Sequence, residues 1–161
     1  MKNPVERIRD RLIAGDTQKA VLVFSERNRR YFTEFPSDIG ILLITADEAY
    51  LLQDFRYEEA AGYSAKNCKV VGFKKIYETL CELLEKHGVK QVYLEIDKLS
   101  VSQARKFEEE LGGKGIEAVL DETLDKAIKD QRMIKSPDEV RKIEASQAIT
   151  DAAFQHILPY I

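Results

Sequence analysis

Ile39-Gly40-Ile41-Leu42-Leu43-Ile44-Thr45-Ala46-Asp47-Glu48-Ala49-Tyr50-Leu51-Leu52-Gln53 contains two apolar runs, Ile39 to Thr45 and Ala49 to Gln53, around a short turn. So close a spacing predicts a β-hairpin, and therefore an antiparallel pair of strands. Upstream, Ala20-Val21-Leu22-Val23-Phe24 is a continuous apolar run, as expected of a strand buried on both faces. Glu26 to Phe32 reads as a short helix, followed by a loop around Phe35-Pro36-Ser37-Asp38. At the amino end, Asn3 caps and Pro4 opens a helix with Val5, Ile8, Leu12 and Ile13 on one face, stopped by Gly15-Asp16.

Downstream of the hairpin, strand and helix alternate. Asp54 is placed to cap a helix through Tyr57, Ala60 and Ala61, and Lys69-Val70-Val71 is a brief strand. Ile76, Leu80, Leu83 and Leu84 mark an amphipathic helix that His87-Gly88 ends. Gln91 to Ile96 reads as a strand. A capping box at Ser100 and Gln103 precedes the stripe Val101, Ala104, Phe107 and Leu111, and Ile116 to Leu120 closes the series. A hairpin inside a strand–helix alternation gives an α/β domain with a mixed sheet and helices on both faces.

The character changes after about residue 121. Asp121 to Gln131 is charge-rich and reads as a short helix that doubles as a linker. Ser136-Pro137-Asp138-Glu139 is then an unusually complete helix start, with a serine cap, proline at the first helical position and a glutamate box partner. The last helix, with Val140, Ile143, Ala153, Phe154 and Ile157, becomes more apolar toward Leu158-Pro159-Tyr160-Ile161. Termini are usually frayed and polar, so this end is expected to pack against more chain or against a partner.

Composition narrows the function classes. Of 161 residues, 44% are hydrophobic, enough for a core without disulfides or a structural metal. Twenty-five basic against 28 acidic residues leave a net charge of −3, which argues against nucleic acid or an anionic membrane as partner. The opening Met1-Lys2-Asn3-Pro4-Val5-Glu6-Arg7 lacks a signal peptide's apolar run, so a cytoplasmic location is expected. Cys68 and Cys81 stand outside any metal or redox spacing and read as reduced thiols. Arg27, Arg29 and Arg30 read as a solvated helix face. His87 and His156 have no metal-ligand spacing.

Tyr31-Phe32-Thr33-Glu34-Phe35-Pro36-Ser37-Asp38-Ile39-Gly40 resembles the early loop-and-strand motif of the prolidase, aminopeptidase P and creatinase family. Ala49 to Tyr57 resembles that family's next strand with its Asp-x-Arg-Tyr turn. Arg132-Met133-Ile134-Lys135-Ser136-Pro137-Asp138-Glu139-Val140 is similar to the junction with the catalytic domain, and Ile149-Thr150-Asp151-Ala152-Ala153 to its first helix. The resemblance implies a ribonuclease-H-like amino-terminal domain over residues 1–124, a linker over 125–136, and over 137–161 the first helix of a catalytic domain that continues beyond. It implies a non-catalytic part of an Xaa-Pro dipeptidase or aminopeptidase P, acting on proline-containing peptides. Two divalent metals, manganese or cobalt, would lie in the catalytic domain and none in this chain. It also implies a homodimer in which a loop of this domain, with Phe35, Asp38 and Arg56, shapes the substrate entrance. One departure is Glu34, where the family commonly has glycine; glutamate resists a positive φ, so a different local turn is expected.

Two other readings compete. Asp54, Glu95 and Asp97 fall at or just past predicted strand ends, where open α/β sheets place their sites, and could hold magnesium in a phosphoesterase. The apolar last helix could instead dock a stand-alone interaction module onto a partner.

Overall fold

Three apolar strands, buried almost throughout, alternate the faces of their side chains and so set the architecture. In β1 (Lys19–Val23), β2 (Ile41–Ile44) and β3 (Ala49–Gln53), Val21, Val23, Leu42, Ile44, Ala49 and Leu51 face one way. Ala20, Leu22, Ile41, Leu43, Tyr50 and Leu52 face the other. Because side chains switch faces at every residue, both faces of this sheet are apolar and both must be covered.

The computed structural model describes residues 2–160. Two readings extend beyond them, the charged opening at Met1 and the apolar end at Ile161. The chain divides into two compact units, 1–131 and 132–161.

In the first unit α1 (Pro4–Leu12), α2 (Glu26–Thr33), α3 (Glu58–Ser64) and α6 (Thr123–Met133) supply Val5, Ile8, Phe32, Ala61, Leu124, Ala127 and Ile128 to one layer. On the other layer α4 (Ile76–Lys86) and α5 (Val101–Gly112) contribute Leu80, Leu84, Phe107 and Leu111. Between the layers β4 (Lys69–Gly72), β5 (Gln91–Leu94) and β6 (Glu117–Val119) complete a six-stranded sheet of order β4-β3-β2-β1-β5-β6. The pairs β1–β2 and β2–β3 are antiparallel, while β3–β4, β1–β5 and β5–β6 are parallel. The expected mixed sheet with helices on both faces is the observed fold.

Local signals set several helix starts. Capping boxes join Asn3 to Glu6 and Ser100 to Gln103, each satisfying two end groups. Four local expectations need correction. Asp54 does not cap α3; its side chain accepts from the Arg56 backbone N–H at 3.0 Å in a turn of its own, and the helix begins four residues later. Val101 is 70% exposed, because the residue just after the cap sits at the helix rim rather than under it. The polar stretch from 121 is packed through one side only, since Leu124, Ala127 and Ile128 of α6 are buried while its other side stays exposed. Arg29 is buried, as described below.

The second unit is α7 (Pro137–Ile157) with a 3₁₀ turn at Leu158–Tyr160. Ser136 caps it with Glu139 in a capping box, and its Val140, Ile143, Ile149, Phe154, Ile157 and Tyr160 are exposed.

Candidate functional site

The segment between α2 and β2 is irregular yet anchored at alternate residues. The helix ends with Glu34 in the left-handed conformation, φ 57° and ψ 6°, its N–H donating to the Arg30 carbonyl at 2.8 Å. The expectation of a different turn was wrong: glutamate occupies the conformation that glycine would take. Tertiary anchoring overrides its local preference, because the next residue, Phe35, is drawn into the core. A left-handed non-glycine residue costs about 1–2 kcal/mol, whereas the exposed Lys66–Glu34 ion pair at 2.9 Å returns about 0–1 kcal/mol. Glu34→Gly is therefore expected to stabilise the domain by about 0.5–1 kcal/mol in urea denaturation; a lower midpoint would mean that the ion pair outweighs the strain.

Phe35 and Ser37 are buried while Pro36 and Asp38 face solvent. Arg29 of α2 donates from Nη2 to the Ser37 carbonyl at 2.6 Å and from Nη1 to the Phe24 carbonyl. Gln53, at the end of β3, donates from Nε2 to Ser37 Oγ at 2.9 Å. Burial lowers the Arg29 pKa, and Glu26, Glu95 and Asp38 work against that through charge. Tyr57 donates its hydroxyl to Asp38 Oδ2 at 3.4 Å, joining the loop to the turn after β3. In that turn Arg56 donates from Nε and Nη2 to Asp54 Oδ2 at 3.0 and 2.6 Å. That bonding draws the Asp54 carboxyl below its usual range and lifts Arg56 above its own. Asp38 and Arg56 thus lie within reach of each other's charge at the surface, whereas Phe35 belongs to the core and contributes an anchor.

Glu95 sits at the opposite end of α2 and is 1% exposed. Its Oε2 accepts from the backbone N–H groups of Phe24 and Ser25 at 2.6 and 2.8 Å; its Oε1 accepts from Ser25 Oγ and Asn28 Nδ2 at 2.7 and 2.5 Å. A carboxylate engaged by four donors is a structural staple with no free lone pair aimed outward. Asp54 is engaged by Arg56, and Asp97 is exposed. Among the described residues no group of three or more His, Cys, Asp or Glu could hold a metal ion. The phosphoesterase reading therefore has no support in the geometry, the residues present do not fit a two-metal centre, and no catalytic step is assigned to them.

The remaining candidates have structural partners. His87 Nε2 lies 2.9 Å from the hydroxyl of buried Tyr50. Burial pushes the Cys68 thiol up to about 11 and raises that of Cys81. Only thiolate attacks an alkylating reagent, so at pH 7 Cys68 is expected to react with iodoacetamide about a hundredfold more slowly than an unperturbed thiol. Mass spectrometry over a time course checks this, and labelling at the free-thiol rate would refute it.

Sequence reasoning gave Arg29 and Gln53 no role in holding this loop. Arg29 stands in a polar, charge-rich helix and Gln53 at the polar end of an apolar strand. Only the tertiary partner, Ser37, gives either a purpose.

A model of the Creatinase/Prolidase N-terminal domain matches residues 4–134. The chain belongs to that family. Among related proteins, the uncharacterised peptidase YqhT of Bacillus subtilis is 26% identical over 142 residues, covering 88% of this chain and 39% of that protein. Among solved structures, the Xaa-Pro dipeptidase from Bacillus anthracis superposes with a TM-score of 0.85 at 27% identity, over 98% of this chain and 42% of the other. The prolidase from Pyrococcus horikoshii gives 0.78 at 27% identity, again over 98% and 42%. The chain spans about two fifths of the length of these relatives. It is an amino-terminal domain of the creatinase/prolidase type, of the kind carried by Xaa-Pro peptidases. Among the described residues no helix is long and apolar enough to cross a membrane.

Proposed function

We propose that this creatinase/prolidase-type domain is the non-catalytic amino-terminal part of a metal-dependent Xaa-Pro dipeptidase or aminopeptidase P that hydrolyses the peptide bond preceding proline. The observation that carries this reading is coverage: two Xaa-Pro peptidase structures align with 98% of this chain, which spans only 42% of each. The catalytic domain would begin with α7 and, farther along, hold two divalent metals, manganese or cobalt, which would supply a hydroxide nucleophile and oxyanion stabilisation. This chain's own residues would support a homodimer and shape the substrate entrance in a cytoplasmic enzyme. Asp38 and Arg56 are the outward-facing polar groups of the anchored loop and adjoining turn, and suit contact with a charged peptide end. Phe35 serves that entrance from beneath, by fixing the loop.

The test begins with the native polypeptide, captured from extract by an antibody against this domain. Its mass is expected at more than twice the 18.4 kDa of this chain, with Xaa-Pro cleavage that a chelator abolishes. Asp38→Ala and Arg56→Ala should raise KM about tenfold with little change in kcat, as removal of binding common to ground and transition states does. A native mass of 18.4 kDa, or a longer protein without Xaa-Pro cleavage, would defeat the proposal.

A further inference from the structure

A buried guanidinium whose direct bonds are to backbone carbonyls is an expensive way to hold a helix. Arg29 is 2% exposed and Gln53 is fully buried, so neither meets solvent. Among the described residues, Arg29 Nε and Gln53 Oε1 have no hydrogen-bond partner. For stability alone, apolar residues of similar volume would serve at least as well as a half-satisfied polar pair. What the two residues share is Ser37. One grips its carbonyl and the other its hydroxyl, from α2 and β3 respectively. Thr33 reinforces the approach, donating Oγ1 to the Arg29 carbonyl at 2.8 Å and accepting from the Phe35 N–H at 3.3 Å. Ser37 stands directly before Asp38, the loop's outward carboxylate.

We propose that Arg29 and Gln53 are positioning residues that clamp Ser37 from both sides, so that Asp38 is presented in one fixed orientation beside Tyr57 and Arg56. The clamp converts an irregular connection into a preformed surface and spares its partner the entropy of ordering it. Its functional meaning rests on the entrance role proposed above; its mechanical meaning does not.

The experiment separates the two. Backbone ¹⁵N relaxation on this chain is expected to give order parameters of about 0.8 or more at Ser37, Asp38, Ile39 and Gly40. In Gln53→Met and in Ser37→Ala these should fall below about 0.6 while those of β1 and β5 stay unchanged. The Ser37→Ala/Gln53→Met double variant should be no more mobile than either single one, since both remove the same bond. Ser37→Ala leaves the core side chains in place and keeps the test open if Gln53→Met folds poorly. A loop that is mobile in the wild-type chain, or stays rigid in both variants, overturns the clamp. If the loop loosens as stated, Gln53→Met in the longer native enzyme should raise KM and leave kcat unaltered. Loosening with no change in KM would uphold the clamp and remove the entrance role.

Discussion

Glu95→Ala is expected to lower the stability of the first unit by about 3–5 kcal/mol, a large share of the 5–15 kcal/mol of an ordinary domain. The parallel pairing of β1 and β5 sets Leu94 against Leu22, which brings the next residue, Glu95, level with the start of α2. There the carboxylate accepts from Phe24, Ser25 and Asn28, and Ser25 is the residue whose own hydroxyl caps the helix. A helix amino terminus carries partial positive charge, so an anion is favoured at that point. Glu95 is also one of the charges that offset the burial of Arg29. Removing the carboxylate takes an acceptor from two backbone N–H groups, a hydroxyl and an amide in a half-buried site, where each donor left unpaired costs about 1–3 kcal/mol before relaxation. Glu95→Gln should cost about half as much, because the amide keeps one acceptor oxygen but turns its NH₂ toward other donors. Urea denaturation followed by far-UV circular dichroism measures both variants. A loss under about 1 kcal/mol for Glu95→Ala would show that the four bonds contribute little net stability.

The same residue shows how far the sequence could be read. Glu95 was visible as a carboxylate just past a strand, the position open sheets use for binding. Its partners come from segments about seventy residues earlier, and no one-dimensional pattern links them. The fold was legible where physics is local. Continuous apolar runs marked β1 to β3, and the caps at Asn3 and Ser100 marked α1 and α5. Legibility failed where a tertiary partner overrules local preference. Arg29 looked solvated because its neighbours are, yet the Ser37 carbonyl draws it inward. Leu124, Ala127 and Ile128 were too sparse among charges to stand out, yet they anchor α6 in the core. Glu34 holds a conformation that its side chain disfavours, because the Phe35 ring must reach the core. The loop was legible around Phe35-Pro36-Ser37-Asp38, but its entrance role was suggested only by family resemblance, and nothing local showed that the Phe35 ring anchors it in the core.

Gly40→Ala is expected to destabilise the first unit by about 4 kcal/mol, for two reasons that act together. Gly40 has φ +130°, a backbone conformation open to glycine and closed to L-residues. A methyl group there would also lie 2.5 Å from the Leu52 carbonyl oxygen and 2.6 Å from Gln53 Nε2. The first of these is backbone of the adjacent strand, tied into the register that pairs Ile41 with Leu52, and it cannot move without disturbing the β2–β3 pair. The second is the nitrogen that holds Ser37 Oγ, so relief by moving Gln53 would release the loop. Gly15→Ala separates the two causes. Gly15 also has a positive φ, +80°, but nothing lies within 4 Å of the added carbon, so only the conformational cost of about 1–2 kcal/mol remains. Thermal and urea denaturation of the two variants side by side give the difference. If Gly40→Ala costs no more than Gly15→Ala, the close approach of β3 is not what fixes glycine at this position. If the gap is found, a single missing side chain is what allows the hairpin and the presenting loop to share the space beside Gln53.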